Sequence, residues 1–317
     1  MSILVVGSVA YDSVKTPNGN HQNALGGSAI YFAVAASYFV PVSIVGVVGD
    51  DFLPEDKAML EAHYIDTGGL SRVHGDTFRW TGEYGEDFNE AHTIDTQLNV
   101  FAGFEPELAS SERKSPFLFL ANIDPDLQYR VLQQMEERPQ LVAGDTMNFW
   151  IQAKAETLAR AISEFDTLMI NQGEVRQLAK ENNLVKAARY VLSQGPQMVV
   201  IKRGEYGALS FTSNAIFAAP AYPLETIVDP TGAGDSFAGG FMGYLAASRD
   251  LTTAGFRRAM IVGSVMASFT VGSFGPDRLS CLSMGEINDR YREFRRLTYF
   301  DGSAEAELPS LTCKDRS

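Results

Sequence analysis

The chain has 317 residues, 45% hydrophobic and 21% charged, with a formal net charge of −13; this is a globular composition, and the acidic balance argues against a nucleic-acid footprint, which needs a basic face. Its two cysteines, Cys281 and Cys313, support neither a disulfide framework nor a cysteine-based metal site. Met1 to Val14 lacks a basic leader and a long apolar run, and no stretch reaches transmembrane length without polar interruption, so a cytoplasmic protein with no membrane partner is expected.

In chain order, Ile3 to Val6 is a buried-strand run, and Thr16 to Ala24 is polar with Pro17, Asn18, Gly19 and Asn20, which predicts a turn. Ser28 is a good cap for a helix whose face carries Ala29, Phe32, Ala33, Ala36 and Phe39, and Pro41 ends it. Val42 to Val48 is a second strand and Pro54 to His63 a helix. From Asp76 to Tyr84 the period changes to two, with Phe78, Trp80 and Tyr84 on one face and Arg79 on the other. Thr96 to Phe101 reads as another short strand, so a small sheet interrupts the surrounding alternation.

Alternation then resumes. Strands are expected at Phe117 to Ala121, Leu141 to Asp145, Thr167 to Asn171, Met198 to Lys202 and Ala208 to Thr212. Helices are expected at Leu127 to Glu137, Ile151 to Phe165, Glu174 to Glu181, Lys186 to Ser193, after Asp235, at Thr252 to Val271 and at Glu286 to Leu297. Repeated apolar strands followed by helices mean a parallel sheet covered on both faces. Residues 1–300 read as a single α/β domain with strands inserted at about 12–25 and 75–102, and 301–317 as a polar tail.

Val228 to Leu245 carries the chemistry. A strand-like run ends at Val228, a turn with Pro230, Gly232 and Gly234 follows, and Phe237, Phe241, Tyr244 and Leu245 recur at helical spacing. A helix start leaves unpaired N–H groups, its dipole favours negative charge, and glycines let an anion approach the backbone. Free amides beside one carboxylate, Asp235, suit phosphoryl transfer: the amides hold charge on the phosphate and the carboxylate takes the proton of an attacking hydroxyl. A plain capped helix start would use the same residues. In open parallel sheets ligands sit outside the carboxyl ends of the strands, and Asp12, Asp50, Asn122, Asp145, Asn171 and Lys202 fall there together with this turn.

Asp229-Pro230-Thr231-Gly232-Ala233-Gly234-Asp235 resembles the C-terminal signature of the ribokinase-like (PfkB) carbohydrate kinases, Gly26-Gly27 resembles their N-terminal signature, and the similarity of element order runs from about Ile3 to Tyr291. The resemblance implies a three-layer α/β/α fold with a mostly parallel central sheet and a small β-sheet lid. It implies an ATP- and Mg²⁺-dependent kinase acting on a hydroxyl of a sugar or sugar-like alcohol, with Asp235 as base and Gly232, Ala233 and Gly234 as the anion hole. Asp12, Gly26 and Gly27 would contact the substrate together with Asp235. Asn171-Gln172-Gly173-Glu174 is similar to the family's Asn-x-x-Glu motif, so Asn171 would position the nucleotide and Glu174 would organise Mg²⁺ through water. Lys202-Arg203-Gly204-Glu205-Tyr206-Gly207 is similar to Thr-x-Gly-x-x-Gly, with Lys202 in place of Thr and Gly204 and Gly207 kept for the nucleotide. Ala10 and Tyr31 stand where the family often has Asn. The lid would exclude water, and its aromatic face would cover substrate or clasp a second copy in a homodimer. Arg79 would reach an anionic substrate group or stay solvated. The loop Ser268 to Pro276 is where relatives hold a monovalent cation such as K⁺.

No Lys follows a Gly, which excludes a P-loop, and no Gly-x-Ser-x-Gly elbow or paired histidine spacing occurs. Two other readings stay open: a nucleoside kinase of the same superfamily, with Phe78, Trp80, Phe101 or Phe149 stacking a base, and a non-catalytic sugar-binding regulator on this fold.

Overall fold

The computed structural model describes residues 2–88 and 91–299; the tail expected at 301–317, Asn89 and Cys313 lie outside them. The chain begins with β1 (Ile3–Val6), β2 (Ala10–Thr16), β3 (Gly19–Gly26), α1 (Ser28–Ser37), β4 (Val42–Val48), α2 (Pro54–Ala62) and β5 (Ile65–Arg72). It continues through β6 (Phe78–Tyr84), β7 (Ala91–Gln97), β8 (Phe117–Leu120), α3 (Pro125–Gln134), β9 (Leu141–Asp145), α4 (Asn148–Ala153) and α5 (Ala155–Ser163). Then come β10 (Thr167–Asn171), α6 (Gln172–Ala179), α7 (Leu184–Leu192), β11 (Met198–Lys202), β12 (Ala208–Phe211) and β13 (Ile216–Ala219). The last elements are α8 (Ala233–Ser248), α9 (Thr253–Thr270), α10 (Asp277–Ser280) and α11 (Met284–Thr298).

Among the described residues, nine strands form one sheet in the order β13-β12-β11-β10-β9-β8-β1-β4-β5. It is parallel from β5 to β11, while β12 and β13 are antiparallel. β1 and β8 are apolar and buried throughout, as strands covered on both faces must be. One apolar layer packs the sheet against α1, α8 and α9, with Phe32 stacked on Phe119 at 4.2 Å between ring centroids. The other, around Phe165, Leu158 and Val191, packs it against α5 and α7.

The second sheet has four strands in the order β3-β2-β6-β7. β2 pairs antiparallel with β3 but parallel with β6, so the two inserted segments meet along β2. The polar run read as a turn at Thr16 to Ala24 is mostly the strand β3; only its start is a turn, and its exposed face needs no apolar residues. The strand expected at Thr96 to Phe101 lies earlier, at β7, and Asn99–Gly103 is a 3₁₀ turn that stacks Phe101 on Phe78. The single helix expected at Ile151 to Phe165 is two helices broken at Lys154, whose ammonium holds Asp124 and Asp126 at 2.7 Å each. β5, edging the large sheet, carried no strand signal because its sequence is polar with two glycines.

Helix α8 lies between α1 and α9 at close approach. A Cβ on Gly239 would fall 2.3 Å from the Phe32 carbonyl oxygen, and one on Gly240 2.7 Å from Met266. An alanine at 239 gains up to about 1 kcal/mol of helix propensity, but overpacking against backbone costs about 1–3 kcal/mol. Gly239→Ala is therefore expected to lower the melting temperature by several degrees in a thermal scan, at about 2–4 °C per kcal/mol for a large domain.

Candidate active site

The start of α8 faces the carboxyl ends of the parallel strands. Gly232 caps the helix at φ 75°, and no side chain satisfies the first turn. Buried Asp229 shapes the approach, its Oδ1 accepting from the Thr231 N–H at 2.9 Å. The Val228 N–H donates to the Val271 carbonyl at 2.8 Å and ties the turn to the end of α9. Of the three amides expected to form an anion hole, that of Ala233 donates to the Pro230 carbonyl at 3.1 Å, while those of Gly232 and Gly234 have no partner among the described residues. The Asp235 carboxylate also has no hydrogen-bond partner there and is partly open to solvent.

Lys202, at the end of β11, comes to the same place. Its Nζ lies 3.1 Å from the point a Cβ on Gly234 would occupy and 2.6 Å from Asp145 Oδ2 at the end of β9. Asn171 is its register partner on β10. Asn171 and Glu174 form a reciprocal cap of α6: Asn171 Oδ1 accepts from the Glu174 N–H at 2.8 Å, and Glu174 Oε2 accepts from the Asn171 N–H at 2.9 Å. The pair thus closes a capping box, and Glu174 keeps one oxygen outside it, near enough to Asp145 and Lys202 to feel both charges.

On the other side, Gly26 lies against the Asp12 carboxylate, where a Cβ would meet Oδ2 at 2.0 Å. Gly27 starts α1 at φ 91° beneath the Ser8 carbonyl. Tyr31 is almost fully buried, with its ring flat against Gly232: a Cβ there would fall 2.3–2.4 Å from three ring carbons. The Tyr84 hydroxyl, from the inserted sheet, is 3.3 Å from Thr231 Oγ1. The sequence marked Tyr31 only as a departure from the family's Asn and Tyr84 only as part of an aromatic strand face; their contacts with the Gly232 turn join residues distant in sequence and carry no local signal. Asp50 is not part of this cluster; its carboxylate binds His74 and the Gly75 N–H. Asn122 holds the Trp150 indole at 3.1 Å.

Gathering these acids away from water shifts them. Burial pushes Asp235 up to about 7; Lys202 opposes the shift, while Asp145, Asp12 and Glu174 add to it. Burial also pushes Asp12 up to about 7, with the Gly27 amide opposing. Glu174 rises to about 7 through burial and then Asp145, with Lys202 opposing. Burial lowers the Lys202 ammonium, but Asp145, Asp235 and Glu174 outweigh it and the net shift is upward.

A cavity of about 440 Å³ opens beside the α8 start, lined by Lys202, Gly204, Gly207, Gly234, Phe237 and Val271 among others. Arg203, also on its wall, keeps a buried Nε with no partner. Cations, unpaired amides and apolar walls fit a nucleotide. Among the described residues no cluster of three acidic, His or Cys side chains could hold a metal. The carboxylates of Glu174 and Asp145, gathered near Lys202, fit Mg²⁺, which keeps several waters and binds largely through nucleotide phosphates.

The profile of the pfkB family of carbohydrate kinases matches residues 2–280. The chain belongs to that family. A cytidine kinase from Thermococcus kodakarensis is 26% identical over 79% of this chain and 91% of its own length. A nucleoside kinase from Methanothermobacter thermautotrophicus is 26% identical over 86% and 90%. A solved E. coli structure described as a ribokinase II, in complex with ATP and Mg²⁺, superposes with a TM-score of 0.77 at 18% identity over 92% of this chain and 99% of its own. This pfkB protein is a kinase with the ribokinase fold, and no helix among its described residues is long and apolar enough to cross a membrane.

The acid cluster has a stability consequence. Asp235 has a folded pKa above its unfolded value, so the folded form is favoured below the unfolded pKa and loses that advantage as pH rises through about 7. Asp235→Asn is expected to raise the melting temperature at pH 8 and to leave it unchanged at pH 4, as a thermal scan at the two pH values would read.

Proposed function

We propose that this chain transfers the terminal phosphoryl group of ATP to a hydroxyl of a sugar or sugar-like alcohol. One observation carries the reading: an unpartnered Asp235 carboxylate, with a pKa near neutrality, stands beside the unpaired amides of Gly232 and Gly234 and the Lys202 ammonium. A base working near neutral pH needs that pKa. In the step, Asp235 takes the proton of the acceptor hydroxyl as its oxygen bonds to the terminal phosphorus. The bond from that phosphorus to the bridging oxygen breaks, and ADP leaves. The helix start and Lys202 hold the charge on the transferring group. Bound Mg²⁺ would neutralise phosphate charge, with Glu174 and Asp145 as the residues that would hold its waters. Asp12, with Gly26 and Gly27 behind it, would hold the acceptor, and the four-stranded sheet would exclude water as a lid.

A nucleoside as acceptor is the second reading. The cytidine and nucleoside kinases match over most of their lengths. Phe149, 55% exposed and edge-on to Trp150 at 4.8 Å, leaves a ring free near the strand ends. Turnover on nucleosides alone in a substrate panel would decide for it; tight sugar binding with no phosphorylated product under any nucleotide or cation condition would instead mean a regulator. A K⁺ site between the Asp229 turn and residues 268–276, and a homodimer formed through the four-stranded lid, belong to the same proposal.

Asp235→Asn is expected to cut kcat at least a hundredfold while ATP still binds, as ADP release and calorimetry would measure. In the wild type, kcat/KM is expected to fall about tenfold per pH unit below about 7, because the base must be unprotonated. Near-normal turnover in the variant would remove Asp235 from the mechanism.

A further inference from the structure

The acceptor side of the cleft differs from the nucleotide side in charge. Asp12, Asp229 and Asp235 all lie near Tyr31, whose ring rests on Gly232, and the charge of Asp12 acts on Asp235 as that of Asp229 acts on Asp12. The neighbouring cations are already engaged. Lys202 is on the nucleotide side, paired with Asp145. Arg79, the residue a negatively charged substrate would have needed, binds Asp51 at 2.6 Å and lies over the Tyr11 ring. Lys15 is paired with Glu83, and Lys154 with Asp124 and Asp126. His21 stacks on Phe274 from an exposed position. Among the described residues on this side, an anionic substrate would therefore meet carboxylates with neither an unpaired lysine nor a free Arg79 to answer its charge, and desolvating it there is costly.

What the acceptor side does offer is a hydroxyl. Tyr31 is 1% exposed, and its hydroxyl has no hydrogen-bond partner among the described residues. The ring is fixed against Gly232, and the hydroxyl is near enough to Asp12, Asp229 and Asp235 to feel their charges. A neutral phenol among carboxylates can donate to a substrate oxygen and accept from a substrate hydroxyl; the surrounding burial and acids keep it protonated.

We propose that the acceptor site takes an uncharged polyol, a free sugar or a nucleoside, and rejects sugar phosphates and sugar acids, with the Tyr31 hydroxyl bonding the substrate directly. This rests on the kinase reading for which side of the cleft the acceptor enters. The Tyr31 ring would position the Gly232 turn, so the hydroxyl and the ring have separable effects.

The test uses the full chain and two readouts. Calorimetric binding and ADP release are measured for D-ribose, D-fructose and cytidine against D-fructose 6-phosphate and D-gluconate. The expected result is binding of at least one neutral compound, with the charged ones at least a hundredfold weaker. Preferred binding of a charged compound, or binding of none of the five, overturns the proposal. Neutral binding without ADP release upholds it while counting against the kinase reading. Tyr31→Phe is expected to raise KM for the neutral acceptor about three- to tenfold, with kcat, ATP affinity and melting temperature close to wild type. Tyr31→Ala is expected to lower kcat as well. An unchanged KM in Tyr31→Phe overturns the role of the hydroxyl.

Discussion

The structure depends on how few positive charges stand among the acids at the strand ends. Asp145, Glu174, Asp235 and Asp12 are brought together by elements from four parts of the chain, and Lys202 is the ammonium set among them, 2.6 Å from Asp145. A buried ion pair of this kind is weak evidence for stability, since desolvation offsets much of its attraction. Its place makes more sense as function: the charge sits where the first turn of α8 also points unpaired amides. The dipole of that turn and the ammonium act on the same small volume, which is therefore suited to anions.

The sheet makes this convergence possible. Parallel strands all end on one edge, so β9, β10 and β11 deliver Asp145, Asn171 and Lys202 side by side. The glycines of α8 then let that helix lie close enough to α1 for Gly232 to rest on Tyr31. Packing and chemistry share these residues, so a change that loosens the helix layer also moves the anion-binding turn.

Much of this was legible in the sequence where the signal was local. The Asp229 to Asp235 turn could be read because a glycine-rich bend followed by helical spacing is a short-range pattern, and the apolar strands could be read because burial on both faces leaves unbroken runs. What escaped reading depends on distant contacts. The Lys202–Asp145 pair joins residues 57 apart in sequence. Tyr31 looked only like a missing asparagine until its ring was seen beneath Gly232. The break at Lys154 has no proline or glycine; the pull of Asp124 and Asp126 on its side chain accompanies the change in backbone direction. β3 and β5 lacked apolar patterning because one is largely exposed and the other contains consecutive glycines.

Asp12 belongs to β2, hence to the four-stranded sheet, whereas Asp235 belongs to a helix of the main body. On the proposed assignment, the group that grips the acceptor travels with the roof and the group that deprotonates it stays with the floor. Alignment of the two would then depend on how that sheet is seated over the main body. On that assignment, water alone would not engage Asp12, and the placement of the two carboxylates on elements of different layers would itself disfavour wasteful cleavage of the nucleotide.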